Sequence, residues 1–159
     1  VPRRHVLLSA PGPVIRAQLP TPSGGLLSLP GGVPVLVNVW LQNCHDCMPA
    51  FEAWRAMVET NQLPEHMTVY NVAYGQADLA WARSYHLDDK LMLDGGEAVV
   101  RPLGISSFTT LVLDRHGRVR LRDRPDTPGY ADRVAGALQA LWSDADAVAP
   151  EPARPSSSR

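Results

Sequence analysis

The chain has 159 residues, of which 45% are hydrophobic and 19% charged, and its formal net charge at pH 7 is −1. This is a globular composition, long enough for one domain with its own hydrophobic core. The small net charge gives no basis for binding nucleic acid or an anionic membrane surface, and no run approaches the eighteen or so apolar residues of a membrane span.

The two ends of the chain differ from its middle. Residues 1–13 are expected to be a flexible N-terminal segment, and residues 144–159, rich in Ala, Pro and Ser, a disordered tail. One domain over residues 14–143 remains. The chain starts at Val1 without a signal peptide, which fits either a trimmed chain or an exported protein whose leader has been removed.

The first part of this domain predicts strands followed by a helix. Short strands are expected at Val14–Gln18 and Leu26–Ser28, on either side of a turn-rich segment. Val33–Leu41 is a nearly continuous apolar run with β-branched residues, which suits a central strand buried on both faces. A helix is expected from about Cys44 to Thr60, with Asn43 as its N-cap.

The second part continues the alternation of strand and helix. The expected elements are a strand over 67–74, an amphipathic helix over 76–87, a strand over 90–94, a turn and brief helix over 95–105, a β-hairpin over 109–123 and a helix over 130–142. This order indicates an α/β fold in which a central mixed β-sheet is flanked by helices.

Both cysteines of the chain lie in the sequence Cys44-His45-Asp46-Cys47. At the junction of a buried strand and a helix, the amides and dipole of the helix favour a thiolate at Cys44, and Cys47 one turn later can resolve a mixed disulfide. We expect His45 and Asp46 to tune the pKa of Cys44 in opposite directions, since a protonated His45 would favour the thiolate and a carboxylate would oppose it.

Other roles for the two cysteines are less well supported. A zinc site needs four ligands, and the chain has neither a second CxxC nor an HxxxH pair. A copper site using Cys44, Cys47 and either His45 or a distant histidine stays open, as does an inert disulfide. The remaining histidines are scattered and are expected to be ordinary surface or partly buried residues: His5, His66, His86 and His116.

The segments VPVLVNVWLQNCHDC, MTVYNVAY and LMLDGGEAVVRPLGISSFTTLVLDRHGRV resemble the TlpA/DsbE-type thiol-disulfide oxidoreductases over residues 14–142. The resemblance implies a thioredoxin fold with an N-terminal β extension, and disulfide exchange with client proteins through Cys44 and Cys47. It further implies work outside the cytoplasm, a redox partner protein, often a membrane tether before Val1, and no cofactor. A reductase is the more expected direction.

The chain departs from this family around the motif. Phe108 stands at the usual cis-proline position, after Ser107, and a cis bond before a non-proline residue costs about 2.5–4 kcal/mol, so we expect a trans bond. Trp40, Ser107 and Phe108 are expected to contact the client, although Phe108 would also suit the core.

The buried acid that such proteins often carry is missing as well. Asn38 and Ala50 occupy its two usual places, so resolution of a mixed disulfide should be slower. These departures keep two rival functions open. One is a thioredoxin-like copper chaperone or sensor, and the other is an interaction module with a permanent disulfide.

Overall fold

The computed structural model describes residues 12–148. The expected N-terminal segment and C-terminal tail therefore lie largely outside the described residues. The strands are β1 Ala17–Pro20, β2 Leu26–Leu29, β3 Val35–Trp40, β4 Val69–Tyr74, β5 Leu91–Asp94, β6 Thr109–Leu113 and β7 Val119–Asp123. The helices are α1 Met48–Glu59, α2 Leu79–Ser84 and α3 Tyr130–Val148.

Five of these strands form one mixed sheet in the order β5-β4-β3-β6-β7. Strand β3 is parallel to β4 and antiparallel to β6, so that Val39 lies opposite Val72 on one side and Thr109 on the other. Strands β1 and β2 form a separate antiparallel hairpin. The predicted fold class is confirmed: a mixed sheet flanked by helices, with an N-terminal β extension.

The central strand β3 divides the core into two clusters. All six of its residues are buried, and successive side chains of a strand point to opposite faces of the sheet. Leu36 and Trp40 pack with the buried residues of the three helices, whereas Val35, Val37 and Val39 belong to the second cluster. The β1–β2 hairpin and the turns after β5 cover that second cluster. The carboxyl end of β3 is thereby held from both sides.

The connection from β3 to α1 differs from the prediction. A single turn of 3-10 helix, His45–Cys47, precedes α1, and no side chain caps either element. Asn43 is therefore not the N-cap, because Cys44 occupies that position of the 3-10 turn and Cys47 that of α1. Pro49 lies in the first turn of α1, where a missing backbone N–H does no harm, so it begins the helix rather than bending it.

Two other predicted elements have different bounds. Residues 95–105 form successive turns instead of a brief helix, and the Asp94 carboxylate accepts four of their backbone N–H groups. Helix α3 continues to Val148, past the predicted end at Trp142. None of the described helices is long and apolar enough to cross a membrane.

Candidate active site

The two cysteines form a disulfide at the point where β3 passes into α1. Their Cα atoms are 5.3 Å apart. Cys44 is partly exposed, whereas Cys47 is fully buried. His45 and Asp46 between them are exposed. An attacking sulfur can therefore reach Cys44 from solvent, and Cys47 is reached only from within the protein.

The buried sulfur has two hydrogen-bond partners in the loop before β6. The backbone N–H of Phe108 donates to Cys47 Sγ at 3.2 Å, and the Ser107 hydroxyl lies 3.6 Å from the same atom. The Ser107–Phe108 peptide bond is trans as predicted, since the described residues have their cis bond at Leu29–Pro30. A proline at position 108 would lack this N–H, so Phe108 supplies a donor to the sulfur that a proline could not.

Arg124, directly after β7, completes the surroundings of the disulfide. Its Nη1 donates to Ser107 Oγ and its Nη2 donates to the backbone carbonyl of Asp46. Its Nε donates to Asp126 Oδ1 at 2.7 Å. Sequence reasoning missed this residue, because arginines are numerous in the 109–123 hairpin region and nothing in their spacing pairs residue 124 with residue 46.

Two side chains expected to contact the client lie in the interior instead. Trp40 is 0% and Phe108 1% exposed. Each packs edge-on against Phe51, with ring centroids 6.1 and 5.2 Å from it, respectively. Their size and apolar character favour this packing over exposure, so neither side chain presents a surface to a client. Of the three expected contacts, Ser107 alone is partly exposed.

A chain of hydrogen-bonded neutral polar groups includes Asn38, one of the two positions where the resemblance implies a buried acid. Thr110 Oγ1 donates to Asn38 Oδ1 at 2.8 Å, so the Tyr130 hydroxyl, also at 2.8 Å, must donate to Thr110. Asn38 in turn donates to Asn71 Oδ1 at 3.4 Å. Burial raises the pKa of Tyr130, more than the Thr110 hydrogen bond lowers it, which keeps the hydroxyl protonated. The network is satisfied without any carboxylate.

The predicted site residues come together only in part. Cys44, Cys47 and Ser107 form one constellation with the unpredicted Arg124, and exposed His45 and Asp46 border it. No group of three or more His, Cys, Asp or Glu side chains suited to a metal ion occurs among residues 12–148. In the described part of the chain, therefore, no distant histidine joins the two cysteines to form a copper site.

Comparisons with known proteins give the class of the fold. No model of a protein family matches the chain, and no curated protein matches it either. Solved structures do match. A thiol-disulfide oxidoreductase from Bacteroides fragilis has a TM-score of 0.59 and 17% identity, over 83% of this chain and 99% of that one.

Two further structures agree with it. The thioredoxin domain of a thiol-disulfide oxidoreductase from Bacteroides vulgatus has a TM-score of 0.54 and 19% identity, over 84% of this chain and 99% of that one. StoA from Bacillus subtilis has a TM-score of 0.56 and 12% identity, over 81% and 99%, respectively. The chain thus has the thioredoxin fold, which it shares with solved thiol-disulfide oxidoreductases, and it carries a cysteine pair joined by a disulfide.

Proposed function

We propose that this protein is a thiol-disulfide oxidoreductase that exchanges disulfides with client proteins, acting more as a reductase than as an oxidant. The observation that carries the proposal is the asymmetry of the Cys44–Cys47 pair. One sulfur is accessible and the other is buried, in a disulfide at the strand-to-helix junction of a thioredoxin fold. Such an arrangement separates an attacking thiol from a resolving thiol.

The reductive cycle follows from this asymmetry. In the reduced protein, the Cys44 thiolate attacks one sulfur of a client disulfide, and the other client sulfur leaves as a thiolate. Cys47 then attacks Cys44 Sγ in the mixed disulfide, which restores the Cys44–Cys47 disulfide and releases the second client thiolate. The client gains two electrons and the protein loses two, so a redox partner protein must reduce the pair again. No cofactor takes part in the exchange.

Client contact is proposed for the surface around Cys44. Ser107 is the member of the predicted contact set that is partly exposed, and it borders a shallow groove of about 310 Å³ lined also by Thr109, Arg122 and Thr127. His45 lies beside Cys44 on the exposed side of the motif and remains the proposed tuning residue, with Asp46 opposing it. Trp40 and Phe108 would support this surface from below.

The proposed location is outside the cytoplasm. This part rests on the resemblance of the sequence to TlpA/DsbE-type proteins. Expression of the full-length gene product, followed by fractionation and labelling with a thiol reagent that does not cross membranes, tests it. Labelling of Cys44 in intact cells is the expected result, and labelling only after lysis would contradict it.

The activity itself is tested by reduction of insulin with dithiothreitol as the electron donor. We expect the wild-type protein to accelerate the reaction and Cys44→Ser to abolish the acceleration. Cys47→Ser should instead accumulate a mixed disulfide between Cys44 and the client, because the resolving thiol is gone. A wild-type protein that is no faster than dithiothreitol alone would refute the proposal.

The direction of electron flow is tested by the reduction potential of the pair. A value near the thioredoxin value of about −270 mV would support a reductase, whereas one near about −120 mV, the value of DsbA, would indicate an oxidant. Equilibration with glutathione buffers of known ratio gives this potential without any client.

A further inference from the structure

The hydrogen bonds around Ser107 have a direction that the structure determines. A guanidinium has donors but no acceptor, so Arg124 must donate to Ser107 Oγ. The single hydroxyl hydrogen of Ser107 is then free to point elsewhere. Cys47 Sγ lies 3.6 Å away, and as part of a disulfide it has no hydrogen to give. Ser107 therefore donates to the sulfur, and Arg124 polarises the hydroxyl that does so.

We propose that Arg124 is a positioning residue that stabilises negative charge on Cys47 through the Ser107 hydroxyl. This role rests on the redox function proposed above. A carboxylate near Cys47 could make its thiolate available by accepting its proton, whereas Arg124 would do so through its positive charge. Arg124 does not remove the proton of Cys47. It lowers the free energy of the Cys47 thiolate relative to the thiol. Cys47 is the sulfur concerned, because Cys44 has no part in these hydrogen bonds.

The surroundings of Cys47 agree with this role. Among the described residues, its sulfur accepts from Ser107 and from the backbone N–H of Phe108, and no carboxylate is in hydrogen-bond contact with it. Asp126 binds the Nε of Arg124 at 2.7 Å, which leaves the two Nη groups directed at Ser107 and Asp46. Cys47 is also the residue that precedes α1, where the helix dipole favours negative charge.

Stabilisation of a Cys47 thiolate favours the opening of the Cys44–Cys47 disulfide. When a client thiolate attacks Cys44 Sγ, a bond forms between these two sulfurs, and the Cys44–Cys47 bond breaks. Its electron pair leaves on Cys47 Sγ, which becomes a thiolate without taking up a proton. Donors on Cys47 therefore stabilise the opened state and the reduced protein, so they raise the reduction potential of the pair relative to the same chain without them. In the reverse step the same stabilised thiolate attacks Cys44 Sγ and releases the client thiolate.

The test compares variants by equilibration with glutathione buffers, and so needs no client. Arg124→Gln should lower the equilibrium constant for reduction about tenfold, equivalent to ~30 mV for this two-electron couple. Arg124→Lys, which keeps the charge but loses the three directed N–H groups, should lower the constant less than Arg124→Gln does. The matched control is Arg118→Gln, since Arg118 lies in the same β6–β7 hairpin, outside the proposed contact groove, and donates to the carbonyl of Gly12 instead. It should change nothing.

Ser107→Ala tests the relay, by which we mean the hydrogen bonds from Arg124 to Ser107 and from Ser107 to Cys47, separately from the other contact of Arg124. It removes the hydroxyl but leaves the hydrogen bond from Arg124 to the Asp46 carbonyl, and it is mild enough to fold should Arg124→Gln fail to do so. It should lower the equilibrium constant roughly as much as Arg124→Gln does. An unchanged constant in Ser107→Ala would overturn the relay, and an equal fall in Arg124→Lys and Arg124→Gln would overturn the role of the charge.

A spectroscopic measurement identifies the sulfur concerned. In Cys44→Ser the remaining thiol is Cys47, and its thiolate can be followed by ultraviolet absorbance as pH is raised. The thiolate should appear at lower pH in Cys44→Ser than in Cys44→Ser combined with Arg124→Gln. Superimposable titrations would refute the proposal. None of these measurements involves a client. The role of Arg124 can therefore be confirmed or refuted even if the protein does not reduce insulin, and the two proposals are tested independently.

Discussion

The ring and the backbone N–H of Phe108 have different roles. Its ring packs 5.2 Å from that of Phe51 and is 1% exposed, while its backbone N–H donates to Cys47 Sγ at 3.2 Å. The ring thus belongs to the core, and only the backbone reaches the disulfide. Substitutions of the side chain should therefore change stability and leave the N–H donor in place.

We predict that Phe108→Ala lowers the free energy of unfolding by about 3–5 kcal/mol, because it leaves a cavity beside Phe51 that the surrounding core fills only in part. Phe108→Leu should cost less, about 1–2 kcal/mol. Urea unfolding of the oxidised proteins measures both. The reduction potential of Phe108→Leu should remain that of wild type, and a large shift in it, with little loss of stability, would show that the ring acts on the disulfide.

The buried polar chain at Thr110 allows a second comparison between residues. Thr110→Val removes the donor to Asn38 Oδ1 and the acceptor for the Tyr130 hydroxyl, so it leaves two buried groups unsatisfied and should cost roughly 2–4 kcal/mol. Tyr130→Phe removes one donor and should cost about 1 kcal/mol. Equal losses in thermal or urea unfolding would contradict a chain in which Tyr130 donates to Thr110 and Thr110 donates to Asn38.

At the scale of the elements, Asp94 determines the path of the chain after β5. Its carboxylate is buried and accepts the N–H groups of Gly96, Ala98, Val99 and Val100 at 2.9–3.2 Å. These bonds wrap residues 95–100 around one side chain, and Val99 and Val100 then pack on the second core cluster. One carboxylate therefore organises the start of the connection from β5 to β6.

We predict that Asp94→Asn lowers the free energy of unfolding at pH 7 by roughly 3 kcal/mol, since an amide has one acceptor oxygen and would leave buried N–H groups without partners. Asp88→Asn is the matched control. Asp88 makes a surface ion pair with Arg83 at 3.5 Å, and such pairs contribute about 0–1 kcal/mol. A loss no larger than that of the control would mean that the turns hold without the carboxylate.

The elements that could be predicted from the sequence are those decided by local pattern. The apolar run of β3, the hairpin around Gly117 and the CxxC at a strand end are local signals, and the structure has each of them. What was missed depends on contacts between distant residues. The turns after β5 are joined by hydrogen bonds from backbone N–H groups to Asp94, up to six residues along the chain. Arg124 reaches the CxxC across 78 positions of the sequence, which no local pattern records.

At the scale of the whole molecule, the candidate site depends on the packing of separate parts. The disulfide follows β3, Ser107 precedes β6 and Arg124 follows β7, and antiparallel pairing of these neighbouring strands brings the three together. Loss of the β6–β7 hairpin from the sheet would remove the Ser107 and Phe108 donors to Cys47 at once. The chemistry of the pair is therefore tied to the stability of the whole fold.

The acid sensitivity of that fold depends in part on Asp94. Burial alone would raise the pKa of Asp94, but four backbone N–H donors outweigh it and lower the pKa below its usual value. The unfolded chain, with a pKa of about 3.9 for Asp, then binds this proton before the folded chain does as pH falls. The stabilisation by Asp94 is accordingly complete above about pH 4–5 and is lost as pH falls through the folded pKa.

We therefore predict that the free energy of unfolding of the wild type falls more steeply below about pH 4 than that of Asp94→Asn. The difference in slope cannot exceed about 1.4 kcal/mol per pH unit, the value for one proton. The two proteins should approach one another at the acid end, because a protonated Asp94 resembles the amide in losing acceptors. Urea unfolding at a series of pH values measures this, and parallel curves would show that Asp94 keeps the same proton affinity in both states.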